Sequence, residues 1–209
     1  MNPGGLVSDV SAGSLADEIG LEPGDRILSA NGQPLRDVID FQFYAGDELV
    51  VLEVLRDGIV HRLEIERDLD ESWGISFAEP TFDGMRQCSN HCPFCFVQQM
   101  LPGLRPSLYL KDDDYRYSFL YGNYVTLTNL DESDWDRLAE QRLSPLYVSI
   151  HAADPSVRRR MLGNRRAPDV RQQIKRLGEI GIQVHAQVVV CPGMNDGDVL
   201  AETVLETAS

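Results

Sequence analysis

"CSNHCPFCF", residues 88–96, holds three of the chain's four cysteines, spaced Cys88-x3-Cys92-x2-Cys95. Zinc, a disulfide and an iron–sulfur cluster all answer that spacing, each with different demands on the rest of the chain. In a reducing compartment so tight a group binds metal more readily than it forms disulfides. A structural zinc site needs four ligands, commonly from two C-x2-C-like pairs. A second pair is missing here, so His91 or Cys191 has to complete the set, and His91 adjoins Cys92, where it strains a closed tetrahedron. Three thiolates in one loop suit three irons of a 4Fe–4S cluster and leave the fourth iron open. An open metal position is what a catalytic site keeps and a structural one fills.

Bulk properties set the frame for that loop. A chain of 209 residues holds one large domain or two small ones. It has no apolar run long enough to cross a bilayer, so no membrane partner is expected. "MNPGGLVSDV" lacks the basic and apolar regions of a signal peptide, and the expected location is the cytoplasm. A net charge of −14 argues against general nucleic-acid binding, which depends on neutralising phosphates. The charge is uneven: residues 1–70 carry 15 acidic and 5 basic side chains, residues 71–209 carry 18 and 14. That shift points to two domains, at 1–68 and 73–209.

The first segment is β-rich. "GLVSDV" predicts a strand, "SLADEIGL" a short helix capped by Ser14, and "PGDRILSANGQPL" a turn, a strand and an Asn31-Gly32 turn. "DVIDFQFYA" predicts a second helix. "ELVVLEVLR" and "IVHRLEIERD" predict strands joined at Asp57-Gly58, with Leu63 and Ile65 on one face. The run "ADEIGLEPGDRILSANGQPL" resembles a bacterial PDZ domain. The resemblance implies peptide or protein binding by strand addition, with a terminal carboxylate held on backbone N–H groups. Gly4 and Gly5 fit such a loop, or form only a flexible chain end.

Beyond residue 73 the rhythm alternates. A strand around "GMRQ" runs into the Cys loop. "YVTLTNL", "PLYVSIHA" and "QVHAQVVV" predict strands; "DESDWDRLAEQRL", "PDVRQQIKRLGEIG" and "GDVLAETVLETA" predict helices, the last over 198–208. Such alternation argues for a parallel β/α architecture, open or barrel-like. Along these strands Val125, Leu146, Val148 and Val184 fall on one face, for packing under helices. Thr126, Thr128, Ser149, His151, His185 and Gln187 fall on the other, a polar lining that suggests a ligand. A hydrogen-bonded core histidine is the plainer account of His185.

C-x3-C-x2-C with an aromatic just before the last Cys, here "CSNHCPFC" with Phe94, resembles the signature of radical S-adenosylmethionine (radical SAM) enzymes. "CPFCFVQQMLPGLRPSLYLKDDDYRYSFLYGNYVTLTNL", "LSPLYVSIHAADPSVRRRMLGN" and "HAQVVVCPGMNDG" narrow it to a PDZ-containing subgroup whose reaction is unassigned. The fold class implied is α/β: a small PDZ-like β-rich domain, then a partial radical SAM β/α barrel, C-terminally truncated after roughly four β/α units. Incomplete catalysis is the corresponding expectation.

The resemblance also implies cofactors and roles. Cys88, Cys92 and Cys95 would ligate a 4Fe–4S cluster whose open iron takes S-adenosylmethionine. An electron donor would reduce the cluster. Cleavage of the cofactor then gives a 5′-deoxyadenosyl radical that abstracts hydrogen from an unknown substrate. Phe94 would lie near the adenine. The family's Gly-rich second-strand motif is absent, which leaves Thr128 and Asn129 at the equivalent strand end as amino-group contacts. Gln187 and Asn195 are candidates for ribose or carboxylate contacts, or for ordinary loop hydrogen bonds. His151, ending the third strand, is a candidate for moving a proton. Cys191 is expected to be a small buried hydrophobe rather than a ligand.

Two charge runs complete the sequence. "KDDDY", 111–115, caps the site, binds a cation or, by default, forms a solvated loop. The five arginines of "RRRMLGNRR", 158–166, would hold a phosphorylated or nucleic-acid substrate, or take a surface or inter-domain role. The competing function is a peptide-binding adaptor with a structural zinc or vestigial Cys site.

Overall fold

The computed structural model describes residues 4–207. The outer ends of the two expected domains, and the last residue of the helix expected at 198–208, lie outside the described residues. The chain divides at Met85/Arg86 into two compact units.

The first unit is an antiparallel sheet with two helices. Its strands are β1 (Gly5–Val10), β2 (Arg26–Ala30), β3 (Gln33–Pro34), β4 (Leu49–Arg56), β5 (Ile59–Glu66) and β6 (Ile75–Phe77). They run in the order β5-β4-β2-β1-β6, with β3 on β2. The Ser14 hydroxyl accepts from the Asp17 N–H and starts α1 (Leu15–Glu18); the Asp37 carboxylate accepts from the Ile39 and Asp40 N–H groups and starts α2 (Val38–Tyr44). Asp57 (φ 51°) and Gly58 (φ 79°) both lie in the left-handed region, as a two-residue type I′ hairpin requires. Val50, Leu52, Val54 and Ile65 alternate inward onto Ile27, Leu35 and Phe41, and Leu63 packs against the same core.

Packing refines the reading of this region at two places. Residues 73–85 belong to the first unit, not the second, because β6 pairs with β1 and Trp73, Phe77 and Phe82 pack on the first core. Gly4 and Gly5 are buried rather than a loose end. A Cβ on Gly4 would stand 2.5 Å from the Ile27 carbonyl oxygen, and one on Gly5 2.5 Å from the Phe82 ring.

The second unit is mixed α/β. A 3-10 turn (Pro106–Tyr109) is followed by α3 (Tyr115–Tyr121), α4 (Glu132–Gln141), β7 (Leu146–Ser149), α5 (Pro155–Leu162), α6 (Val170–Glu179), β8 (Val184–Gln187) and α7 (Asp198–Thr207). β7 and β8 are parallel and in register from Leu146↔Val184 to Ser149↔Gln187. Leu146, Val148 and Ile150 are fully buried, as the alternation requires. β8 departs from it: Val184 is half-buried, while Ala186 and Gln187 are exposed.

The strand expected over 124–130 does not form. Val125 makes one parallel bridge to Val148, and then side chains take the backbone groups a ladder would use. The Thr126 N–H donates to the Asp113 carboxylate (2.6 Å), Arg158 donates to the Thr126 carbonyl (2.7 Å) and Gln173 to the Leu127 carbonyl (2.8 Å). Leu127 is itself left-handed, φ 57°. "GMRQ" is likewise no strand; Gln87 makes a single antiparallel bridge to Asp112. β8 stops early because the Val189 N–H turns to His151 Nδ1 and the Val189 carbonyl accepts from Asn195. No helix among the described residues is long and apolar enough to cross a membrane.

Candidate functional site

The Cys loop is pinned at both ends. The Cys88 N–H donates to the Lys111 carbonyl (2.6 Å), and the Lys111 ammonium donates to the Asn90 carbonyl (2.6 Å). On the other side the His91 N–H donates to the Leu162 carbonyl (2.8 Å), and the Cys92 thiol donates to the same oxygen (3.8 Å). Leu162 closes α5, whose left-handed cap Gly163 lies so near that a Cβ there would stand 2.3 Å from the His91 carbonyl oxygen. The helix itself is fixed by local signals. The Asp154 carboxylate caps it, Pro155 occupies the first turn and Gly163 ends it.

Beneath the loop lies a buried polar network. Asn90, 0% exposed, donates from its amide to Thr126 Oγ1 (2.9 Å), Thr128 Oγ1 (3.1 Å) and Cys88 Sγ (3.4 Å). Its amide oxygen accepts from Asn164 (2.8 Å). Asp113, 2% exposed, accepts from both the N–H and the hydroxyl of Thr126, and its carbonyl accepts from the Asn129 amide (2.8 Å). Burial raises the Asp113 carboxyl above its ordinary range, against the lowering effect of the threonine bonds. Asp114 is fully buried too: it caps α3 and forks onto Arg116. The solvated loop expected over "KDDDY" is therefore overturned for these two aspartates.

A second group gathers at the end of β7. The His151 ring meets the Phe94 ring edge-on at 4.8 Å and accepts the Val189 N–H at Nδ1 (3.3 Å). Burial, with Arg158 nearby, pushes its pKa down to about 4, so it is neutral at pH 7 and keeps its proton on Nε2. Asn195, 0% exposed, donates to the His151 carbonyl (2.7 Å) and the Val189 carbonyl (2.9 Å), and accepts from the Cys191 N–H (2.7 Å). Phe94 and Cys191 pack on Ala152, Val157 and Met161. Arg158, 0% exposed, sits between the two groups with no carboxylate in ion-pair range; it donates to the Thr126, Ser149, Ile150 and Pro168 carbonyls. Its burial overturns the expected surface role for this one arginine, whereas Arg159, Arg160, Arg165 and Arg166 are exposed.

Thr128 and Asn129 thus reach the footing of the Cys loop, and Phe94, His151 and Asn195 share a second group. Gln187 is exposed outside both. Asn90 went unread in the sequence as a site residue, whereas Lys111, Asp113 and Arg158 were read only as members of charge runs. A groove of about 720 Å³ between α6, β8 and α7, lined by Ile174, Lys175, Ile182 and Val184, contains none of these residues.

All four cysteines are free. The Cys92 thiol is pushed up to about 11, first by burial and then by Cys88 and Cys95, with Lys111 opposing. Loss of the proton from a partly buried thiol such as Cys92 is favoured by a bound cation. The donor set fits a thiolate-bound metal cluster. Among the described residues no three His, Cys, Asp or Glu side chains already converge as ligands.

A three-cysteine loop seated on an α/β unit, following a small antiparallel sheet unit in the sequence, defines the class. A family model described as a Radical SAM-like domain matches residues 67–209, and a PDZ domain model matches residues 6–56. The first spans well over half the sequence: the chain belongs to the radical SAM-like family. No curated protein matches it.

Proposed function

We propose that this chain is a cytoplasmic radical SAM iron–sulfur protein with a PDZ module for a peptide or protein partner. The observation that carries it is the three-cysteine loop pinned to Lys111 and Leu162 in a chain of this family. Cys88, Cys92 and Cys95 would hold a 4Fe–4S cluster, with an electron donor to reduce it. When bound, the cluster and S-adenosylmethionine supply a reductive cleavage yielding a 5′-deoxyadenosyl radical for hydrogen abstraction from a substrate.

The chain's own residues do the positioning. Phe94, braced by His151, offers an aromatic face for adenine. Thr128 and Asn129 offer polar groups beside the cysteines, and Gln187 a further one at the end of β8. Asn195 acts by holding the 189–195 turn against His151. His151, neutral at pH 7, orients its neighbours and does not donate a proton as the cation. The parallel β7–β8 pair with α5, α6 and α7 supports a partial β/α barrel. In the first unit β5 and β6 are the sheet edges to which a peptide strand would add.

Anaerobic iron, sulfide and zinc analysis, with electron paramagnetic resonance before and after S-adenosylmethionine, tests this. About four irons per chain, as the cluster type requires, and a spectrum perturbed by the cofactor are expected. About one zinc per chain with no cofactor response would establish the adaptor instead. Cys92→Ala should lose bound iron and leave peptide binding intact; full iron in that variant refutes the ligand assignment.

A further inference from the structure

Four arginines, Arg159, Arg160, Arg165 and Arg166, stand exposed at the end of α5 and in the turn beyond it, and none has a carboxylate in ion-pair range. That sets them apart from Arg36, Arg56, Arg86, Arg116, Arg171 and Arg176, each held by an aspartate or glutamate. In a chain of net charge −14 these four exposed cations form a local basic patch. Arg159 and Arg160 complement the C-terminal dipole of α5. Arg165 and Arg166 lie past the Gly163 cap, where the dipole explains nothing. Arg159 donates to the Ala167 carbonyl (3.0 Å), which ties the helical arginines to the turn that carries the other two.

This basic turn is fastened to the Cys loop. Between its two arginine pairs lie Leu162, Gly163 and Asn164, the residues that contact His91, Cys92 and Asn90. His91 and Pro93 are themselves exposed, so the loop reaches the surface beside the arginines.

We propose that this arginine turn is the docking surface for an acidic one-electron carrier protein that reduces the cluster at Cys88, Cys92 and Cys95. The inference rests on the radical SAM reading above. Net repulsion from a chain of charge −14 leaves a basic patch as the favourable approach for an acidic carrier, and this one adjoins the group to be reduced. A nucleic-acid partner meets the same repulsion along an extended backbone, which four arginines do not offset. In the step itself one electron passes from the reduced carrier to the oxidised cluster; the carrier is oxidised by one electron and no bond or proton changes place.

The test uses the full chain, with Arg159, Arg160, Arg165 and Arg166 each changed to Glu, and a second variant with each changed to Lys. The probe is a purified acidic flavodoxin. Two readouts are taken: its binding to the chain as a function of salt, and the rate at which its reduced form bleaches the cluster. Dithionite serves as a small chemical reductant for comparison.

The proposal expects at least about tenfold weaker, salt-insensitive binding and about tenfold slower protein-driven reduction in the Glu variant. It also expects unchanged dithionite reduction, and near-normal behaviour in the Lys variant. Equal carrier binding by native and Glu chains overturns it. So does a patch that binds a short RNA but not the carrier. If the chain holds no iron, the radical SAM reading fails while carrier binding by the metal-free chain still decides whether the patch docks an acidic protein.

Discussion

His151 lies two residues past β7 with φ 65°, is only 4% exposed, and its pKa is pushed down to about 4. The unfolded chain therefore binds a proton there between about pH 6.5 and 4 that the folded chain refuses. The stability that neutral His151 contributes is fully present above pH 6.5 and is lost as pH falls towards 4, up to about 3 kcal/mol at about 1.4 kcal/mol per unit. Asp113, raised by burial, works the other way above the ordinary carboxylate range, so the difference between two chains is the clean observable. His151→Asn keeps a side chain that tolerates the left-handed backbone. Denaturant titrations from pH 7 to 4 should show a flatter acid limb for the variant; parallel limbs would show that His151 is not the group titrating. Asn90→Ala removes an amide serving Thr126, Thr128, Cys88 and Asn164, and should cost about 2–3 kcal/mol in the same assay.

At the scale of elements, the turn after α5 is where packing is least forgiving. Gly163→Ala adds a methyl 2.3 Å from the His91 carbonyl oxygen at φ 56°, so the Cys loop has to move. Gly181→Ala meets the same backbone demand, φ 79°, with nothing within 4 Å. The first should cost about 2 kcal/mol more than the second and expose the Cys92 thiol to alkylation; equal costs and equal alkylation rates would show that the contact carries no load. Helix α4 and the Asp57-Gly58 hairpin were legible because their signals are local: the Asp131–Asp134 capping box and two adjacent residues suited to positive φ. The caps of α3 and α5 were equally local, Asp114 with Gly122 and Asp154-Pro155 with Gly163, but charge runs over both stretches obscured them. The lost strand at 124–130 was not legible at all. Its backbone partners, Asp113, Arg158 and Gln173, lie 13 to 46 residues away along the chain, beyond any periodicity. The candidate site divides the same way. Three cysteines at fixed spacing are visible in a string of letters, whereas the burial of Asn90 and Asp113 is decided by what folds over them.

On the scale of the whole molecule, each unit has its own buried core and its own hydrogen-bonded footing. Residues 1–85 produced alone should unfold in one cooperative transition; a sloping, non-cooperative melt would count against an independent core. Ending the piece at residue 66 should lower its melting temperature sharply, because β6, Trp73 and Phe77 go with the part removed. The match to the radical SAM-like family begins at residue 67, so β6 lies inside one family's sequence and the other unit's sheet. For a lineage that shuffles its modules, that strand is a constraint on recombination. A crossover at the boundary of the two sequence families would hand the new host a sheet missing its border and leave the old one with a stray ribbon. Inheritable breakpoints are confined to the stretch between Phe82 and Arg86, and the first module travels with about twenty residues that look, letter by letter, as if they belonged to its neighbour.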